Sequence, residues 1–106
     1  LEHISDRIDG LESKFLNATE RKRLPEENRE TYLTAFWGAK EALFKLYGKR
    51  DLQFGENIFV DFKEIAEKGS FNGKIKSSDF ERDYLINYRI FDGYMLVYAA
   101  DDQNGK

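Results

Sequence analysis

The chain has 106 residues, 17 basic and 20 acidic, a formal net charge of −3 and 41% apolar residues. It has no Cys, one Pro and a single His, His3, which excludes a disulfide framework, a thiolate zinc site, a cysteine nucleophile and a His-rich metal centre. The length fits one domain over residues 1–106, able to bury about 60–70% of the surface its unfolded chain exposes. No apolar run approaches the roughly 18 residues of a membrane span, and the mild acidity argues against nucleic acid as the main partner.

Residues 2–8 read as the end of a strand running into a turn. Asp9 is a candidate cap for a short helix over 10–16, with Leu11, Phe15 and Leu16 on its apolar side. Asn17 or Thr19 opens a second short helix, 19–24, which Pro25 ends. The clearest element is a long helix over about 26–47. Glu26, Glu27 and Glu30 stand in its first turns, where the helix dipole favours negative charge. Lys45, Lys49 and Arg50 stand at the other end, with Gly48 as the stop. Between them Leu33, Phe36, Trp37, Leu43, Phe44 and Tyr47 recur at helical spacing.

Beyond Gly48 the pattern changes. The partly β-branched run 57–62 reads as a strand, 63–69 as polar connection, and 71–76 as a short strand with an Asn72-Gly73 turn signal near its start. Tyr84, Ile86, Tyr88 and Ile90 alternate with Leu85, Asn87, Arg89 and Phe91, a period of two. Asp92-Gly93 then suits a type I′ hairpin turn, since both residues tolerate positive φ. The apolar run 94–100 reads as a strand covered on both faces, and 101–106 as a frayed polar tail. Helices followed by an antiparallel β-meander define an α+β fold.

Few side chains here suggest chemistry. Glu41 and Lys45 are four apart on the long helix, one turn beyond Trp37, so 37, 41, 45 and 48 share a face. A carboxylate beside an ammonium can hold a divalent cation and a phosphate; the same spacing also describes a plain helix-supporting ion pair. The pair sits beside Trp37 and Phe44, and Gly38 interrupts the helix, read either as close approach of another backbone or as neutral drift in a helix held by tertiary packing. Lys14, Arg21, Lys22 and Arg23 form the one dense basic patch, read either as a docking surface for an acidic partner or as a solvated helix face. Tyr84, Tyr88, Tyr94 and Tyr98 read as core and cross-strand packing. His3 has no recognisable catalytic partner.

Three segments together resemble the 4′-phosphopantetheinyl transferase superfamily, in particular the C-terminal half of its surfactin-synthetase-activating type. Trp37-Gly38-Ala39-Lys40-Glu41-Ala42-Leu43-Phe44-Lys45 fits the pattern W-x-x-K-E-[AS]-x-x-K followed by a glycine, here Gly48. Phe15-Leu16-Asn17-Ala18-Thr19-Glu20 is similar to an F-[FL]-x-x-x-E block about twenty residues upstream. Residues 84–101 are similar to the closing hairpin. Leu1-Glu2 reads as the end of a G-[IV]-D-[IVL]-E motif, with its Asp expected just before Leu1.

The resemblance implies transfer of 4′-phosphopantetheine from coenzyme A to a serine of an acyl or peptidyl carrier protein, with Mg²⁺, or Mn²⁺, as cofactor. Glu2 and Glu41 would be two of three metal ligands, Lys45 a phosphate contact, Lys40 a secondary one, and Glu20 the general base. The patch of Lys14, Arg21, Lys22 and Arg23 would face the carrier. In this type two similar halves form a pseudo-dimer with coenzyme A between them, so the chain reads as one half, folding alone, transferring poorly alone, and self-associating weakly through an apolar half-interface. A coenzyme A substrate and no signal-peptide pattern give a cytoplasmic expectation. The alternative is a non-catalytic domain of this fold that binds a carrier or partner protein.

Overall fold

The computed structural model describes residues 1–5, 8, 10–48, 52–62 and 64–101. Asp9, Lys49, Arg50 and the tail 102–106, all named in the sequence reading, lie outside them. The elements in chain order are β1 (Glu2–His3), a 3₁₀ turn (Glu12–Lys14), α1 (Ala18–Lys22), α2 (Arg29–Tyr47), α3 (Phe54–Asn57), β2 (Ile58–Asp61), β3 (Lys68–Ser77), β4 (Phe80–Phe91) and β5 (Tyr94–Asp101). The strands form one antiparallel sheet in the order β1-β5-β4-β3-β2, and α2 lies across one face, mainly on β5 and β2. This is the expected α+β architecture.

The helix boundaries have local causes. The side chain of Asn17 accepts from the Glu20 amide, and Glu20 reaches back to the Asn17 amide, a capping box that starts α1. The long helix begins at Arg29, three residues later than the sequence reading. Asn28 just before it is left-handed, φ 59°, a conformation Asn tolerates and a right-handed helix cannot pass through. Glu26 and Glu27 therefore precede the helix, and only Glu30 is an acidic residue of its first turn. At the other end Gly48, φ 80°, closes the helix by donating its amide to the Phe44 carbonyl.

Leu33, Phe36 and Leu43 of α2 meet Ile58 and Val60 of β2, Ile75 of β3, Ile86 of β4 and Met95 of β5 in the buried core. Two expectations about the sheet are corrected here. Asn72-Gly73 is no turn: both residues lie inside the ten-residue β3, where Gly73 pairs with Val60 and Tyr84. A Cβ on Gly73 would stand 2.6 Å from Ile86 Cδ1 and 2.9 Å from Leu43 Cδ1, so this glycine lets α2 seat against the sheet. The second correction concerns β5, which is covered on one face only. Met95 is fully buried beneath α2, whereas Tyr94, Leu96 and Tyr98 point outward with Leu85 and Phe91 of β4. Tyr84 and Tyr88 are core, as expected; Tyr94 and Tyr98 are not. The Asp92-Gly93 turn has the two positive φ values, 51° and 76°, that its sequence called for.

Candidate active site

The site is assembled where β1 passes α2. Glu41 projects from the face of α2 it shares with Trp37 and Lys45, and Glu2 comes from the edge strand, held there by pairing with Met95. Their carboxyls meet within hydrogen-bonding range. Gly38 makes the approach possible: a Cβ there would lie 3.0 Å from Val97 Cγ2 and 3.4 Å from Glu2 Cγ. What comes close to Gly38 is thus the side chains of β1 and β5, not another backbone.

Two carboxyls in contact resist being charged together. Burial, the hydrogen bond to Glu41 and the charge of Glu41 push the Glu2 carboxyl above its ordinary range, opposed by Lys45. Lys45 lies one turn on, its Nζ 3.9 Å from Glu41 Oε2, with three quarters of its side chain in solvent. At that distance and exposure it is no tight partner of Glu41, and its ammonium is available to an anion.

The donor set suits a hard divalent cation, since carboxylate oxygens are what Mg²⁺ takes, usually one or two of them with water and substrate phosphates completing the shell. Among the described residues no group of three or more acidic or His side chains converges on such a site. Glu2 and Glu41 are the two carboxylates that could hold such an ion, whose charge would then be offered to a bound anion.

Beside Glu2 and Trp37 lies a cleft of about 340 Å³, mostly apolar, lined also by Ser5, Ile8, Leu11, Lys14 and Phe15. Trp37 is fixed by edge contact with Phe15 and by the Phe54 ring, centroids 5.5 Å away in both cases. Ser5 and Ile8 were not singled out from the sequence, and Leu11 was read only as part of the apolar side of a short helix over 10–16, of which the structure keeps a 3₁₀ turn at Glu12–Lys14.

The other sequence-derived residues sit elsewhere. Glu20 and Lys40 are buried, 4% and 0% exposed, and bind each other: Lys40 Nζ donates to Glu20 Oε1 and to the Phe54 carbonyl, both at 2.7 Å. Glu20 Oε2 accepts from the Val60 amide at 2.9 Å. Burial pushes the Lys40 ammonium below its ordinary range, against the pull of Glu20. Neither side chain lines the Glu2 cleft, and Glu41 and Lys45 stand outside its lining as well. The basic patch is also divided. Lys14 lines that cleft, whereas Arg23 pairs with Asp61 of β2; Arg21 and Lys22 are exposed. His3 rests its ring against Tyr94 on the outer side of the sheet, centroids 5.0 Å apart.

A helix-on-meander fold whose helix and edge strand present acidic side chains beside a lysine is one a phosphoryl-transferring enzyme can use. The chain matches the family model for the 4′-phosphopantetheinyl transferase superfamily over residues 1–101 and belongs to that superfamily. No curated protein and no solved structure matches the chain. No helix among the described residues is long and apolar enough to cross a membrane.

Proposed function

We propose that this chain works in the transfer of 4′-phosphopantetheine from coenzyme A to a serine of an acyl or peptidyl carrier protein, as the C-terminal half of a transferase of the surfactin-synthetase-activating type in the cytoplasm. The observation that carries the reading is the meeting of Glu2 and Glu41 across β1 and α2, with the Lys45 ammonium one turn away. In the reaction the serine oxygen forms a bond to the β-phosphorus of coenzyme A, and the bond to the adenosine 3′,5′-bisphosphate leaving group breaks. The serine proton passes to solvent water, and the leaving bisphosphate keeps the electron pair of the broken P–O bond. The loose transition state spreads negative charge over phosphate oxygens, so catalysis needs alignment and charge neutralisation more than covalent help. Lys45 supplies positive charge to those oxygens; Glu2 and Glu41 would hold Mg²⁺ or Mn²⁺, which would add further charge neutralisation. Lys14 at the cleft, with exposed Arg21 and Lys22, offers positive charge to an acidic carrier.

The test is conversion of an apo carrier protein to its holo form, read as one phosphopantetheine mass on the serine. The full-length protein with coenzyme A and Mg²⁺ is expected to convert it, and chelation is expected to stop it. The 106-residue chain alone is expected to convert little. No conversion of acyl or peptidyl carriers by full-length protein would sink the reading.

The outward sheet face supports the half-enzyme part of the proposal. Leu85, Phe91, Tyr94, Leu96 and Tyr98 are all between 37% and 53% exposed on neighbouring strands, and clustered apolar surface of this kind marks protein contact. A second half-domain would cover it. The isolated chain is then expected to self-associate weakly, with sedimentation or light scattering showing a mass that rises with concentration. Tyr98→Glu with Leu96→Glu should abolish the rise without unfolding the chain.

A further inference from the structure

We propose that Glu20 and Lys40 are a buried positioning pair that sets the rotation of α2, and through it the placement of Glu41 against Glu2, instead of acting on substrate themselves. The inference rests on the transfer reading for its link to activity, though its structural half can be tested without it. Lys40 and Glu41 are neighbours in α2, so they point about 100° apart around the helix axis. The first points in and the second points to β1.

What Lys40 grips is spread over the molecule. Its Nζ holds Glu20 Oε1 of α1 and the Phe54 carbonyl of α3. The carboxylate of Glu20 in turn holds the Asn17 amide at the start of α1 and the Val60 amide of β2. One ammonium thus ties α2 to two helices and to the edge strand β2, while Glu41 on the adjacent face meets Glu2 on β1, the opposite edge of the sheet. A helix clamped to one edge by Lys40 cannot turn its Glu41 away from the other.

The same contacts argue against direct roles. Glu20 accepts three hydrogen bonds from the chain's own donors and is 4% exposed. A general base must reach the proton it takes. The surface Glu20 does touch is a depression shared with Asn17, Ala18, Thr19, Arg23, Phe59 and Asp61, which includes none of Glu2, Glu41 and Lys45. Lys40 is fully buried, out of reach of a phosphate.

The experiment compares Glu20→Gln, Lys40→Met and the double Glu20→Gln/Lys40→Met in the full-length protein. Three readouts are taken: the NMR contact between Gly38 Hα and the Val97 methyls, Mn²⁺ affinity without coenzyme A, and transfer at saturating metal. Each single variant leaves one partner unmatched, so the Gly38–Val97 contact is expected to weaken and Mn²⁺ affinity to fall about 10–100-fold, as supporting contacts behind metal ligands do. Transfer should recover largely at saturating metal, with the acid limb of its pH profile unmoved. The double variant, with no unpaired charge, should exceed either single in all three.

Loss of transfer that saturating metal does not repair, together with loss of the acid limb in Glu20→Gln, would make Glu20 the base and overturn the proposal. So would an unchanged Gly38–Val97 contact in folded single variants. If a single variant does not fold, the double decides: a double that also fails to fold, or is no better than the worse single, overturns it. Restored contact and Mn²⁺ affinity in a protein that transfers nothing would uphold the positioning pair and sink the transferase reading instead.

Discussion

Replacing Glu41 by Ala in the full-length protein should lower transfer by about 10²–10³-fold, the size seen when one preorganised electrostatic group is removed from a charge-developing site. The fold should survive. The Glu41 side chain is about one third exposed and pairs only loosely with Lys45, and such surface substitutions usually stay within about 0.5 kcal/mol. The pH behaviour separates this from unfolding. In the metal-free protein the Glu2 carboxyl is held above its ordinary range by burial and by Glu41, so the folded state binds that proton more tightly than the unfolded state. Its stabilising contribution is fully present below the ordinary carboxyl pKa and is lost as pH rises through the raised value. Glu41→Ala removes the neighbour and should flatten that decline. Saturating Mg²⁺ should raise the melting temperature of the parent protein near neutral pH, since an ion that binds only the folded state stabilises it by mass action, and should do far less for the variant. A calorimetric comparison with and without Mg²⁺, beside the carrier assay, checks both. Retained transfer in a folded Glu41→Ala protein would remove Glu41 from the site.

Much of this arrangement can be read from residues that act locally. Gly48 ends α2, Asp92-Gly93 makes the hairpin, and the alternation from Tyr84 to Ile90 buries one face, because each depends on neighbours a few positions away. The misreadings arise where distant contacts decide. Asn72-Gly73 carries a turn signal, yet pairing on both sides and the demand of Leu43 for space keep it in β3. The apolar run of β5 suggests cover on both faces, but among the described residues α2 covers one face and Tyr94, Leu96 and Tyr98 stay exposed on the other. At the site, the Glu41–Lys45 spacing and the special place of Gly38 are legible in α2 itself. The burial of Lys40 is not. A lysine in a helix is expected at the surface, and what draws it in comes from Glu20, twenty positions before it, and Phe54, fourteen after. The division of the basic patch has the same origin, since Asp61, which takes Arg23, is 38 positions away.

Phe62→Ala should cost about 3–5 kcal/mol of stability, the upper end for a single core truncation. Phe62 is 2% exposed and its ring contacts three others. It meets Phe36 of α2 edge-on at 5.2 Å, Phe71 of β3 at 4.5 Å and Tyr88 of β4 at 6.1 Å. These rings join the helix to the half of the sheet remote from β1. Around them, Tyr32 and Tyr88 accept from the Ile65 and Ala66 amides and pin the connection that follows Phe62, so the surroundings have little freedom to collapse into the space left. A domain of this size has about 5–15 kcal/mol to lose in total, and the change removes a large share of it. Urea titration should show a lower midpoint with an unchanged slope, the mark of lost stability without a changed unfolded state. The site should be spared, because Glu2, Glu41 and Lys45 are outside this cluster. Transfer per folded molecule, measured well below the melting temperature, should therefore match the parent. Equal falls in stability and in activity per folded molecule would mean that the aromatic cluster and the carboxylate pair are one mechanical unit, with the far half of the sheet setting the geometry at β1.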